Sequence, residues 1–68
     1  MKIRYFSDTD TALIEFSHTP VVETREISED LYIDIDSDGN VVSITIEHAS
    51  EKANISEITF LQMEKRTA

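Results

Sequence analysis

The feature that most constrains this chain is an alternation of apolar and polar residues over Leu31–Ile46, interrupted once by a short polar stretch. Each half places alternate aliphatic side chains on one face of a β-strand. The interruption, Asp38-Gly39-Asn40, has the composition of a tight turn, and Gly39 is the only glycine of the chain. Glycine readily adopts the positive φ that tight turns require. The sequence therefore predicts a β-hairpin that pairs Ile35 with Val42, Ile33 with Ile44 and Leu31 with Ile46.

Three more strand-like segments precede this hairpin. Lys2–Ser7 and Thr11–Ser17 alternate in the same way, and the polar residues between them favour a turn, so they predict a first hairpin. Val21–Ile27 follows Pro20 and carries charged side chains, which is typical of an edge strand. The predicted fold class is α+β, mostly β. It is a small antiparallel sheet of two hairpins plus an edge strand, in a single domain over residues 1–68.

The sequence beyond Ile46 supports two interpretations. Ser50–Ala53 is compatible with one helical turn capped by Ser50. Asn54–Arg66 fits a helix, whereas Glu57–Met63 taken alone fits a strand, because β-branched and aromatic residues favour extended backbone. Periodicity does not decide between them. The sheet is therefore expected to end with a C-terminal strand or short helix.

The net charge of −8 is large for 68 residues. A surface of this sign repels phosphate groups, so we expect no nucleic-acid partner. It fits a basic protein partner or a cation, and it also fits the need of a small strand-rich protein to stay in solution. The candidate partner-binding residues form an acidic series: Glu26, Glu29, Asp30, Asp34, Asp36 and Asp38.

The small size of the chain favours self-association. A domain of this length buries little apolar surface, and the absence of cysteine excludes disulfides as a substitute. We therefore expect a homo-oligomer. The first ten residues include Asp8 and Asp10 rather than an apolar run, and no apolar stretch approaches the ~20 residues that span a bilayer. The expectation is a soluble, cytoplasmic protein with no membrane partner.

The central turn resembles the opening of a calcium-binding EF-hand loop. Asp34, Asp36 and Asp38 occupy positions one, three and five, and Gly39 occupies position six. Position twelve, however, is Thr45 rather than the bidentate glutamate, and the flanking segments are predicted strands rather than helices. An ordinary acidic turn is therefore favoured. Weak binding of a divalent cation by Asp34, Asp36 and Asp38 remains as the alternative function.

Catalytic motifs are not evident. His18 and His48 are the only histidines, and the sequence places no partner beside either, so a loop residue and a strand-end residue are the simpler interpretations. No serine lies in a nucleophile-elbow context, and one glycine cannot build a phosphate-binding loop. We therefore predict no catalytic residue, no cofactor and no enzymatic activity.

Four short motifs follow one another within residues 1–50. They are Ile3-x-Tyr5, Asp8-x-Asp10-x-Ala12-Leu13-Ile14, Val22-Glu23-Thr24 and Asp34-x-Asp36-x-x-Gly39-x-Val41-Val42. In this order and spacing, the chain resembles the small bacterial DUF2283 family. It departs from the usual family pattern at Ser43, normally glycine, and at Thr45, normally glutamate.

The resemblance implies a compact β-rich module with no established activity or cofactor. It also implies a short strand-like C-terminal segment. Members look like proteins encoded beside small basic partners, which implies an antitoxin-like role. Together with the charge, this gives the leading interpretation of the function. The chain is expected to be a non-enzymatic interaction module that self-associates and binds a basic protein through its acidic residues.

Overall fold

The computed structural model describes residues 1–64 of the 68-residue chain. They form five strands and one short helix: β1 (Lys2–Phe6), β2 (Thr11–Glu15), β3 (Glu23–Ser28), β4 (Leu31–Ile35), β5 (Val41–Glu47) and α1 (Ala49–Lys52). The strands make one antiparallel sheet in the order β1-β2-β5-β4-β3. The predicted fold class is confirmed, with both hairpins and β3 as an edge strand.

The central hairpin has the predicted register over most of its length. Ile33 lies opposite Ile44 and Leu31 lies opposite Ile46. The predicted pairing of Ile35 with Val42 is wrong, because the register shifts after Asp34 and places Ile35 opposite Val41. Such an irregularity gives one strand an additional residue, and strict alternation cannot predict it.

Gly39 adopts the expected positive φ, 83°. The turn around it is closed by two backbone hydrogen bonds: the Gly39 N–H donates to the Asp36 carbonyl at 3.1 Å, and the Asp36 N–H donates to the Asn40 carbonyl at 3.0 Å. The turn thus begins at Asp36, two residues earlier than the sequence suggested.

The helical turn is present, but its N-terminal boundary differs from the prediction. α1 begins at Ala49, after His48 in the left-handed conformation with φ 54°. The Ser50 side chain does not cap it, because that hydroxyl instead donates to Asp10 at 2.8 Å. Residues 54–64 form neither a helix nor a strand. The helix over Asn54–Arg66 and the strand over Glu57–Met63 are therefore both wrong as far as residue 64, and positions 65 and 66 lie outside the described residues.

The sheet is a single layer with little enclosed core. Within residues 1–64, the buried apolar side chains are Ala12, Ile35, Val42 and Ala49. The remaining aliphatic residues of the central hairpin are only half-buried. α1 has four residues and lies at one end of the sheet, so it cannot cover a face. Burial is therefore concentrated along the β2-β5-β4 centre.

Candidate functional site

One face of the sheet is apolar across four adjacent strands. Residues that lie opposite each other in an antiparallel register point to the same side, and the observed register aligns a continuous set of apolar side chains on this side. We call this set the apolar face: Ile3, Tyr5, Ala12, Ile14, Leu31, Ile33, Ile44 and Ile46. The apolar face ends at the edge strand β3, which carries an ion pair between Arg25 and Glu23, whose Nε and Oε2 atoms are 2.8 Å apart.

The apolar face is exposed at β1 and half-buried over most of the other strands. Ile3 is 42% exposed and Tyr5 is 41% exposed. Residues 57–63, which we call the C-terminal segment, lie beside the β1 part of this face. Ile58 and Phe60 of the segment line an open groove with Ile3 and Met1. Exposed apolar patches of this extent usually mark interaction surfaces.

The opposite, polar face carries an acidic group around Tyr32. Glu26 lies opposite Tyr32 in the sheet, and the Tyr32 hydroxyl donates to the Glu29 carbonyl at 3.2 Å. Burial raises the pKa of the Tyr32 phenol, and so do the surrounding negative charges of Glu47, Glu26, Asp30 and Glu29. We call these four acids and Tyr32 the acidic cup. It brings together three of the predicted partner-binding residues, namely Glu26, Glu29 and Asp30.

The structure does not place the other three predicted residues in the cup. Asp34 is on the polar face and accepts hydrogen bonds from Thr24 at 2.6 Å and from Ser43 at 2.7 Å. Asp36 and Asp38 lie in the β4–β5 turn, at the end of β4 opposite to Asp30. The acidic series is continuous in sequence but divided in space, because β4 separates its two ends.

Asp36 is a structural residue of the central turn. It is 8% exposed, and its Oδ1 accepts the N–H groups of Asp38 and Asn40, both at 2.9 Å. Its Oδ2 accepts the Thr19 hydroxyl at 3.0 Å, which ties the turn to the loop after β2. These donors, the Asn40 N–H foremost, lower the pKa of the Asp36 carboxyl.

Two of the three candidate cation ligands, Asp34 and Asp36, are thus already engaged by the protein. Both oxygens of Asp34 and of Asp36 accept hydrogen bonds from side chains or backbone. Within residues 1–64, no group of three or more His, Cys, Asp or Glu side chains is arranged to hold a metal ion. Asp36, at position three of the EF-hand-like stretch, instead binds backbone N–H groups of its own turn, as aspartates of tight turns commonly do.

A second aspartate, Asp10, joins the first hairpin to α1. Its carboxylate accepts the Tyr5 hydroxyl at 2.6 Å and both the N–H and the hydroxyl of Ser50, at 3.1 and 2.8 Å. The Tyr5 hydrogen bond, followed by that of Ser50, lowers the pKa of the Asp10 carboxyl. The sequence indicated a turn here but not this partner, since Ser50 is 40 residues away.

Asp30 forms the corresponding link for the second half of the sheet. Its Oδ1 lies 2.8 Å from His48 Nδ1, and its Oδ2 lies 3.4 Å from Lys52 Nζ. The hydrogen bond to Asp30, and then its charge, raise the pKa of His48. An aspartate that orients an imidazole is also an element of general-base sites. Here, however, the Ser50 hydroxyl donates to Asp10 rather than to the imidazole. The Asp30–His48 pair therefore serves to attach α1 to the sheet.

The His48–Asp30 contact predicts a pH-dependent stability. A histidine whose pKa is raised by folding stabilises the native state below its unfolded pKa of ~6.5, and this contribution disappears as the pH rises through the folded value. Lys52 shares the Asp30 carboxylate with His48, and the charges of Glu51 and Glu47 add to the rise in the His48 pKa. We expect a higher melting temperature at about pH 5.5 than at about pH 8.5.

His48→Gln is the matched variant for this measurement, because glutamine cannot titrate. Thermal unfolding followed by circular dichroism should show a smaller difference between the two pH values in the variant. A difference as large as that of the original chain would contradict the assignment to His48.

Within residues 1–64, no helix is long and apolar enough to cross a membrane. One comparison with known proteins gives a match: the family model DUF2283, described as a protein of unknown function, matches residues 2–50. The matched range contains all five strands and the start of α1. No curated protein and no solved structure matches the chain.

Proposed function

We infer the function of this chain, which belongs to the DUF2283 family of proteins of unknown function, from the two faces of its sheet. It is a non-enzymatic interaction module. Two copies associate through the apolar face, and each copy then presents its polar face, with the acidic cup, to a basic protein partner. The observation that carries this proposal is the apolar side of a single-layer sheet, against which residues 1–64 place no second layer.

The dimensions of the chain support self-association. Its accessible surface is 5633 Å², whereas a compact monomer of this mass exposes about 4,400 Å². Its radius of gyration is 13.9 Å, against about 11 Å for a compact domain of this length. The excess area of about 1,200 Å² exceeds the ~800 Å² that each partner contributes to a standard interface. The exposed side chains of both the apolar face and the C-terminal segment contribute to this excess.

A second copy is the occupant that best fits the charges. The acids that approach Tyr32 come from the polar face and from the β3–β4 turn, so a face-to-face dimer keeps these four charges away from the interface. The Arg25–Glu23 ion pair at β3 supplies a polar rim. Apolar centres with polar rims are typical of protein interfaces, and a two-fold axis makes one surface complementary to itself.

Sedimentation equilibrium of the full chain tests this association directly. We expect a mass of twice the 7.8 kDa of the chain. A single 7.8 kDa species at every concentration would reject the dimer.

The acidic cup supports the second part of the proposal. Glu26 lies opposite the half-buried Tyr32, and the negative charges of Glu47, Glu26 and Glu29 all raise the pKa of its phenol. An aromatic ring bordered by carboxylates suits a lysine or arginine side chain, which gains both ion pairing and a cation–π contact. The partner chemistry is therefore an exposed basic segment of another protein.

An arginine- and lysine-rich peptide tests the acidic cup. We expect binding that weakens with added salt, because exposed charge pairs are screened within ~10 Å at ~0.1 M salt. The double variant Glu26→Gln/Glu47→Gln should bind the peptide about tenfold more weakly in calorimetry, since each lost pair contributes on the order of 0.5–1 kcal/mol.

The matched control for the peptide experiment is Asp8→Asn/Glu57→Gln. It removes the same charge, but from the β1–β2 turn and from the C-terminal segment, outside the cup. If both double variants lose the same affinity, attraction by overall charge rather than by the cup explains the binding.

A further inference from the structure

The C-terminal segment is apolar but poorly buried. Ile58 is 64% exposed, and Phe60, Leu61 and Met63 are between 75% and 79% exposed. Among residues 1–64, no backbone hydrogen bond attaches residues 58–63 to a strand. The segment is therefore held in place by a few side-chain contacts, and little free energy is needed to move it.

The C-terminal segment and the residues before it border two open grooves along β1. Near α1, residues 50–56 line one open groove with Tyr5, and further along the chain Ile58 and Phe60 line another with Ile3 and Met1. The segment thus runs beside β1 in the opposite direction. Ile3 and Tyr5 both belong to the apolar face, so the segment occupies space above the β1 part of that face.

This position conflicts with a face-to-face dimer. Two sheets that pack against each other are separated by about 10 Å, and their side chains interdigitate to fill that space. A chain segment that borders the groove over Ile3 takes up part of the space that the sheet of a second copy would need. The segment and the second copy therefore exclude each other at β1.

We propose that the C-terminal segment is a displaceable cover of the β1 part of the apolar face, and that it weakens dimer formation by competing with the second copy. This inference depends on the proposed self-association. It also gives that association a means of regulation, because any partner that captures residues 57–63 would release the face.

The first test weakens the cover. In the full-length double variant Ile58→Ser/Phe60→Ser, the segment loses the side chains that line the groove with Ile3, whereas the apolar face is unchanged. Sedimentation equilibrium should give a dimer dissociation constant about tenfold lower than that of the original chain, because two copies each lose part of a competing apolar contact. The matched control, Leu61→Ser/Met63→Ser, removes similar apolar area and should change the constant by less than about threefold.

The direction of the change decides between two roles. If the segment instead belongs to the dimer interface, the serine variant will dissociate more readily, and the inference is overturned. An unchanged constant also overturns it. If the original chain and both variants are monomers at every concentration, the proposed self-association fails, and the cover has nothing to regulate.

The second test fixes the cover in place. The chain has no cysteine, so Ile3→Cys/Phe60→Cys introduces a single possible disulfide. We expect the disulfide to form in the full chain, the oxidised protein to be monomeric and the reduced protein to be a dimer. An oxidised protein that dimerises as well as the reduced one, or a failure of the disulfide to form, would contradict the proposed position and role of the segment.

Discussion

Replacing Ile44 by glutamate is expected to leave the chain monomeric. Ile44 lies on β5, at the centre of the apolar face, between Ile14 of β2 and Ile33 of β4. In the proposed dimer each copy would bury this carboxylate against apolar side chains, at a cost of several kcal/mol per copy. We therefore expect the dimer dissociation constant to rise by at least ~1,000-fold, as measured by sedimentation equilibrium.

Thr45→Glu is the matched control for this experiment. Thr45 is the next residue of the same strand, it is also half-buried, and its side chain is on the polar face. This variant should retain the dimer. Far-ultraviolet circular dichroism of both variants shows whether the sheet is intact. A folded Ile44→Glu protein that still dimerises would place the interface elsewhere on the molecule.

Asp36→Ala is expected to cause the largest loss of stability among substitutions of the acidic residues. The change removes the acceptor of two backbone N–H groups and of the Thr19 hydroxyl. Donors left without an acceptor in a part-buried site strongly destabilise a protein. We expect the melting temperature to fall by on the order of 10 °C.

Two further variants show whether this loss comes from the hydrogen bonds. Asp38→Ala, in the same turn, removes an equal charge from an exposed residue and should shift the melting temperature by less than about 3 °C. Asp36→Asn keeps one acceptor oxygen and should fall between the two. Equal effects of Asp36→Ala and Asp38→Ala would indicate that net charge, rather than the hydrogen bonds of Asp36, controls stability.

The local structure of the sheet follows from the sequence because strand formation depends on alternation between neighbours. The two hairpins, the turn at Gly39 and the edge position of β3 were all predictable in this way. The register error at Ile35 has a local cause too. An extra residue in one strand costs little at the end of a hairpin, and the sequence carries no separate signal for it.

The acidic residues show a different limit. Their sequence predicts a continuous acidic surface, but the structure divides them, with Asp36 in the central turn and Glu26 beside Tyr32 on the polar face. Glu47 was not singled out from sequence at all, because its place beside Tyr32 depends on the pairing of β5 with β4. A charge count is a property of the whole chain, whereas only tertiary contacts show which acids, such as Asp36, are bound within the protein.

By itself, the sequence determined the strands, their antiparallel hairpins and which side chains of each strand share a face, since these properties depend on residues close together in the chain. Only the tertiary structure decided that β2 pairs with β5, that Asp10 binds Ser50 and that residues 58–60 border a groove beside Ile3 without forming a strand. Those contacts join distant residues, and their stability depends on the surfaces that remain free after the hairpins have formed. The apolar face is such a surface, and it carries the proposed function.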